Sequence, residues 1–254
     1  MAFSTINKSS LYQNQVLYTG NASTQSITGV GFSPALNWIK CRGAVENHAV
    51  SDSVRGDSGA ASGYWVLYPN LNSEEYGSSG NAYVTALGAD GFSVGNNDVV
   101  NIAQPFVSWN WKAGTTSGLS GGTITPSSYS INTTSGFGIY KWTGTGSAGT
   151  IAHGLGVVPK WYFCRRLSNT GHWEVYHGSN TSAPATEHLR LSTDDATGDD
   201  AQYFNDTDPT STVFSVGDHT NVNASANTYV AYVFAEVKGF SKFGTYVGNG
   251  STNG

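Results

Sequence analysis

Residues 105–111 read Pro105-Phe106-Val107-Ser108-Trp109-Asn110-Trp111, and this stretch decides the fold class. Aromatic and β-branched residues alternate with small polar ones at a period of two, the signature of a strand with one face turned to a core. Val107, Trp109 and Trp111 are expected to form the inward face, with Phe106, Ser108 and Asn110 outward. Short runs of the same kind recur along the chain at 63–68, 82–87, 136–144, 160–164, 172–177 and 228–234, bounded by Gly, Pro, Asn and Ser. A helical period is nearly absent, and the best candidate for a helical turn is Asn70–Tyr76. The chain therefore reads as all-β.

The strands also repeat. Ile6-Asn7 returns as Ile131-Asn132, Tyr18-Thr19-Gly20 as Trp142-Thr143-Gly144, and Pro34 as Pro159. Phe92-Ser93-Val94-Gly95 returns as Phe214-Ser215-Val216-Gly217, Asn101 as Asn223, and Phe106-Val107 as Tyr229-Val230. The offset stays between 122 and 125 over about a hundred positions, which chance does not sustain. Two tandem homologous units follow, 1–114 and 115–254, each expected as a β-sandwich of jelly-roll or lectin-like type, with a barrel as the alternative. The Gly-, Ser- and Thr-rich stretch 113–122 reads as a flexible connection. Gly248-Asn249-Gly250-Ser251 echoes Gly144-Thr145-Gly146-Ser147 and reads either as a partial third repeat that closes a sheet edge or as the vestige of a longer array.

Composition narrows function. Only 11% of residues are charged, the net charge is −5, and there are 12 Lys plus Arg, so nothing neutralises phosphates and nucleic acid is not an expected partner. There is no long apolar run to insert in a membrane, and the first fifteen residues lack the basic and apolar regions of a signal peptide. Cys41 and Cys164 fit no zinc spacing and are expected as reduced core residues.

Several local motifs suggest chemistry that their context does not support. Arg55-Gly56-Asp57 is an adhesion tripeptide, and Gly56-Asp57-Ser58-Gly59 looks like the nucleophile motif of chymotrypsin-like proteases. Such an enzyme needs a His and an Asp before its Ser across two barrels, and only His48 precedes Ser58. Gly144-Thr145-Gly146-Ser147-Ala148-Gly149 satisfies a dinucleotide fingerprint, but Gly154, Gly156 and Pro159 forbid the helix that must follow; a hairpin loop is expected. His172 and His177 flank Glu174, but alternation turns His177 away from His172, so a solvated strand face is expected rather than a metal site. The acidic run Asp194, Asp195, Asp199, Asp200, Asp206 and Asp208 is a calcium candidate without the EF-hand pattern. Glycoside hydrolysis needs two carboxylates across a cleft; Glu74 and Glu75 are adjacent and do not face each other in a strand or a helical turn, and nothing in the pattern brings Glu174 and Glu236 together. Trp65, Trp109, Trp111 and Trp173 could offer sugar-stacking faces, although alternation places Trp109 and Trp111 inward. No catalytic, cofactor-binding or metal-binding residue is assigned.

The succession "VLYTGN", "GFSPALNWIKCR", "DSVRG", "GFSVG", "SWNWKAG", "GTIAHGLGVVPK", "FNDTDPTSTVFSVG" and "YVAYVFAEVKGFSKFGTYVGNGSTNG" resembles a tandem-repeat family of marine tailed bacteriophages with no assigned activity. The resemblance covers nearly the whole chain and takes Asp52-Ser53-Val54-Arg55-Gly56 as the template, leaving Asp57-Ser58 as local variation. It implies a virion protein that is not an enzyme: a capsid decoration or head or tail appendage, self-associating and contacting other virion proteins. A tail-fibre adhesin that recognises host surface glycans is the alternative. The chain departs from the family at Cys41, Cys164 and Ala22, the last standing where the second copy has Gly146.

Overall fold

The computed structural model describes residues 4–56, 58–59, 63–77 and 82–251. The first half supplies β1 (Gln13–Thr19), β2 (Gln25–Thr28), β3 (Leu36–Cys41), β4 (His48–Asp52), β5 (Val84–Gly88), β6 (Gly91–Val94), the single turn α1 (Asp98–Asn101) and β7 (Pro105–Trp111). The second supplies β8 (Ser128–Asn132), β9 (Phe137–Thr143), β10 (Gly149–Ala152), β11 (Pro159–Arg166), β12 (Glu174–His177), β13 (Glu187–Arg190), β14 (Gly198–Asp199), the turn α2 (Ala201–Phe204), β15 (Val213–Val216) and β16 (Thr228–Ala235). All strand pairs are antiparallel. The expected helical turn at Asn70–Tyr76 does not form: Tyr76 bridges Val66 instead.

Four sheets stack face to face. A three-stranded sheet (β2-β6-β5) covers a four-stranded one (β1-β7-β3-β4), and a two-stranded sheet (β10-β15) covers a seven-stranded one (β14-β13-β12-β11-β16-β9-β8). Each pairing encloses a core, so each half is a β-sandwich. A third core lies between the four- and seven-stranded sheets, where Leu36, Val50 and Leu67 meet Phe163, Trp173, Tyr232 and Phe234. Alternation explains how one strand serves two cores. On β16, Tyr229, Ala231 and Val233 face one way while Val230, Tyr232 and Phe234 face the other. A strand buried on both faces reads as an unbroken apolar run, and Tyr229–Ala235 does.

The same geometry inverts one expectation. On β7, Phe106, Ser108 and Asn110 are fully buried, whereas Val107, Trp109 and Trp111 are only partly so. The buried polar pair survives because Asn37 donates to both Ser108 Oγ (2.9 Å) and Asn110 Oδ1 (2.7 Å). Trp111, on the other face, reaches the third core against Phe137 and Phe234.

The order β1-β7-β3-β4 recurs as β9-β16-β11-β12, and the β2–β6 pair as β10–β15. The loops match as well. Asn101 accepts from the Asn21 N–H (3.0 Å) and donates to Gly95 O (2.6 Å); Asn223 accepts from the Thr145 N–H (3.0 Å) and donates to Gly217 O (3.1 Å). Both asparagines are fully buried and tie the exit of the first long strand to the entry of the last. The Gly144–Gly149 stretch is not a hairpin loop, because β9 and β10 belong to different sheets; it is a connection between layers.

Two further expectations fail. The 113–122 connection is stitched down rather than free: the Gly114 and Thr115 N–H groups donate to Ile131 O, Leu119 N–H donates to Tyr129 Oη (2.8 Å), and Gly122 bridges Ile151. Residues 244–251 join no strand, so of the two alternatives for Gly248–Ser251 the closing of a sheet edge is not seen among the described residues, and Tyr246 and Val247 are exposed.

Ala22 carries φ +55° where Gly146 carries +75°, and both N–H groups close the same loop, onto Asn101 O and Asn223 O. An L-residue in this region costs about 1–2 kcal/mol, against about 0.5–1 kcal/mol of chain entropy for glycine. Ala22→Gly is therefore expected to stabilise the protein by about 0.5–1 kcal/mol in urea unfolding; a loss of stability would refute the equivalence of the two loops.

Candidate binding cleft

The seam between the four- and seven-stranded sheets opens at one end into a cleft of about 370 Å³. Trp111, Phe137, Trp161, Phe234, Phe240 and Phe243 line it, with Ser9, Gln13, Ser135, Ala235 and Ser241 between them. Two turns build it. After β16, Phe240 N–H and Ser241 N–H donate to Val237 O (2.9 Å each), which folds Phe240 and Phe243 back over the sheet. Phe243 N–H then donates to Glu236 Oε1 (3.0 Å). Between β8 and β9, Gly136 at φ +68° passes so close to Ala235 O that a Cβ would stand 2.7 Å from it, and this places Ser135 in the lining.

The rings form a continuous set. Trp161 stacks on Phe234 (centroids 4.8 Å, 28° between planes) and leans on Phe243 (5.7 Å, 34°), while Phe137 tilts against Phe234 (4.9 Å, 35°). None of the lining residues is ionisable. Ser241 Oγ accepts from Val237 N–H (3.1 Å) and donates to Ala235 O (3.3 Å). Ser135 is 6% exposed, and its hydroxyl has no hydrogen-bond partner among the described residues. A neutral concavity of flat rings with a few hydroxyl and amide groups suits a neutral ligand with an apolar face.

The residues singled out from sequence lie elsewhere. Arg55 is 4% exposed: its Nε lies 2.5 Å from Asp52 Oδ2 and its Nη2 donates to Val50 O (2.9 Å). The adhesion tripeptide is thus not presented, since its first member is inside the protein; Asp57 lies outside the described residues. Ser58 Oγ donates to Gly63 O (2.8 Å), and His48 Nδ1 accepts from Trp38 Nε1 (3.0 Å), so both protease candidates are spent on local structure.

The strand face that carries His172, Glu174 and Tyr176 is not solvated: Glu174 and Tyr176 are buried. His172 contacts Ser192 Oγ (3.2 Å), and His177 Nδ1 accepts from Ser179 N–H (3.3 Å). In the acidic run, Asp195 pairs with Arg190 (2.9 Å), Asp200 accepts from Gln202 N–H (2.9 Å), and Asp208 accepts from Tyr176 Oη (2.8 Å). Among the described residues no three His, Cys, Asp or Glu side chains gather as metal ligands would. Glu75 faces Arg55 (3.6 Å) while Glu74 is exposed, and Glu236 lies past the end of β16, away from the buried Glu174. Neither carboxylate pair flanks a shared cleft. Trp173 is fully buried and donates to Tyr68 O (3.0 Å); Trp65 is partly buried beside Gly77. Cys41 and Cys164 are buried thiols in separate cores.

Of the cleft residues, the sequence reading singled out Trp111 alone, and as a core residue. The missed signal is Phe240-Ser241-Lys242-Phe243, two aromatics following a strand with no alternation of their own.

The chain is thus an all-β protein of stacked antiparallel sheets with a neutral aromatic cleft at the seam. It belongs to the family described as Domain of unknown function (DUF7483), which matches residues 8–254. No curated protein and no solved structure matches it.

Glu174 Oε1 accepts from Asn221 Nδ2 (2.7 Å) and lies 3.4 Å from Arg190 Nε. Burial nevertheless lifts its carboxyl from 4.5 to about 7, the hydrogen bond and Arg190 only partly opposing it. The folded state then holds a proton that the unfolded chain gives up. This contribution to stability is complete below pH 4.5 and is lost as pH rises through about 7. Glu174→Gln is expected to flatten the decline of urea stability over that window; an unchanged slope would show that Glu174 is ionised in the folded protein throughout.

Proposed function

We propose that this chain is a non-enzymatic structural protein of a bacteriophage virion surface, a capsid decoration or head or tail appendage, built by tandem duplication of one β-sandwich unit with the division near residues 114 and 115. The observation that carries the reading is where the polar chemistry is spent. Asp52, Arg55, Arg165 and Glu174 are buried in the framework, and His48 and Ser58 of the protease-like motif hold strands and turns together. The resemblance through "DSVRG", "GFSVG" and "GTIAHGLGVVPK" supplies the phage context. Self-association and contacts to other virion proteins are part of the proposal; nucleic acid, membrane and cofactor are not. The test is cryo-electron microscopy of the intact particle combined with mass spectrometry of purified virions. Density for the stacked sheets on the capsid or tail is expected, and absence of the chain from purified particles would sink the reading.

The cleft favours a second reading, a receptor-binding adhesin that recognises a neutral host surface glycan. A pyranose ring offers one apolar CH face and a hydroxyl rim, which match the Trp161 and Phe243 rings and the Ser135, Ser9 and Gln13 groups. On this reading Trp161→Ala weakens binding to neutral oligosaccharides on an array by roughly tenfold, the worth of one ring-stacking contact. Equal binding by wild type and variant would remove the cleft from consideration.

A further inference from the structure

We infer that the outer edge of β1 is an assembly edge, and that a second copy of this chain pairs with it, β1 against β1 and antiparallel. The inference gives the self-association proposed above its surface.

The backbone fixes which groups are available. Lys112 N–H donates to Tyr12 O (2.8 Å) and Gly20 N–H to Gln104 O (2.9 Å), so even-numbered positions along β1 bond to β7. By alternation the N–H and C=O groups of Gln13, Gln15, Leu17 and Thr19 point away from it. Two of these have side-chain partners: Gln15 N–H donates to Asn14 Oδ1 (3.1 Å) and Thr19 O accepts from Gln25 Nε2 (3.1 Å). Leu17 has neither, and its side chain is 66% exposed.

The second half shows what such an edge accepts. Its counterpart strand, β9, is covered on that side by the antiparallel β8, with Ser128 opposite Lys141 and Asn132 opposite Phe137. In the first half no described segment takes that place: Ser4–Asn7, which should correspond to β8, forms no strand, and Ser4 and Thr5 lie by Thr133, Leu155 and Val237 instead. Of the other edges, those of β4, β5 and β8 are covered, and β2, β14 and β15 are shorter strands of two to four residues. Val50 on β4 exchanges two hydrogen bonds with Leu67, Val84 O on β5 accepts from Tyr64 N–H, and Ile131 on β8 pairs with Thr115.

β1 also lacks the devices that keep an edge single. Seven residues run in unbroken register with β7, with no proline, bulge or charge. A two-fold axis makes such a strand its own complement. Full overlap centres on Val16, sets Gln13 opposite Thr19 and Gln15 opposite Leu17, and opposes no like charges.

The test is light scattering on the eluting full-length chain, with Leu17→Pro and Leu17→Lys beside wild type. Proline at 17 removes only an outward N–H, so the β1–β7 ladder is kept; lysine brings two like charges to the joint. Wild type is expected at twice the 26.8 kDa of the chain, and both variants at that single mass with circular dichroism unchanged. Should the proline variant misfold, the lysine variant decides. Hydrogen exchange adds an independent readout: the Leu17 amide is protected in wild type and exchanges freely in Leu17→Lys. A monomeric wild type, dimeric variants or an unprotected Leu17 amide would overturn the proposal. None of these would touch the virion reading, which the particle itself decides.

Discussion

The carboxylate of Asp52 is the point on which the two halves of the molecule close. Its Oδ1 accepts from the N–H groups of Val54 (2.9 Å) and Arg55 (2.7 Å), which shapes the turn after β4. Its Oδ2 accepts from Arg55 Nε in the same turn and from Tyr232 Oη (2.7 Å), which comes from β16 in the other half. All of this is buried beside a largely apolar seam, with Glu75 and Arg165 as further charged groups near it. A charge there is tolerable only when every lone pair has a partner, and removing one partner of such a pair costs about 3–5 kcal/mol. The apolar area of the seam supplies attraction, but apolar contact is indifferent to register. The Asp52 contacts are not. They select one seating of the four-stranded sheet on the seven-stranded one, and nearby contacts of the same kind reinforce it: Trp173 Nε1 to Tyr68 O, Glu75 N–H to Leu167 O, and Gly171 N–H to Asn72 O.

That seating accounts for the cleft. With β3 and β4 packed on β11, β12 and β16, the end of the seam beside Gln13 of β1 and Trp111 of β7 is left open, and the rings there become walls. Trp111 and Trp161 are partly exposed for this reason, not because their strands are weak. The opening is then limited by the Val237–Ser241 turn, which puts Phe240 beside Tyr12 and Phe243 beside Trp161.

The sequence made the fold class legible through period-two alternation, and the strand repeats fell on equivalent positions: Phe92 and Phe214 pair with Ile27 and Ile151, and Asn101 and Asn223 hold equivalent loops. It misled wherever burial and polarity part company. Ser108, Asn110 and Glu174 look like surface residues and are buried, because their partners Asn37, Asn221 and Arg190 come from distant stretches. Composition misled at 113–122 for a related reason: small residues allow chain mobility, but they also allow the close backbone approach by which Gly122 meets Ile151. Of the cleft, Trp111 alone was visible, and its role was not. A cleft between sheets depends on how two halves seat, and no local pattern encodes that. The tripeptide at Arg55 is the converse case: a motif famous for exposure sits where a buried carboxylate needs a guanidinium.

The charge economy of the chain follows from the same frame. With 12 basic and 17 acidic residues in all, every one committed to the interior leaves charge sparser on the outside. Asp52, Arg55, Arg165 and Glu174 are committed in this way, while Arg190 pairs with the exposed Asp195 at the surface. What faces outward at β1 and in the cleft carries hydroxyls, amides and rings. Association of such surfaces gains little from long-range steering. Its specificity must come from contacts at bonding distance: ladder hydrogen bonds along an edge, or a flat ring against a flat face. Contacts of that range suit the proposed virion role, in which the partner is already held nearby as one of the subunits packed side by side on a surface.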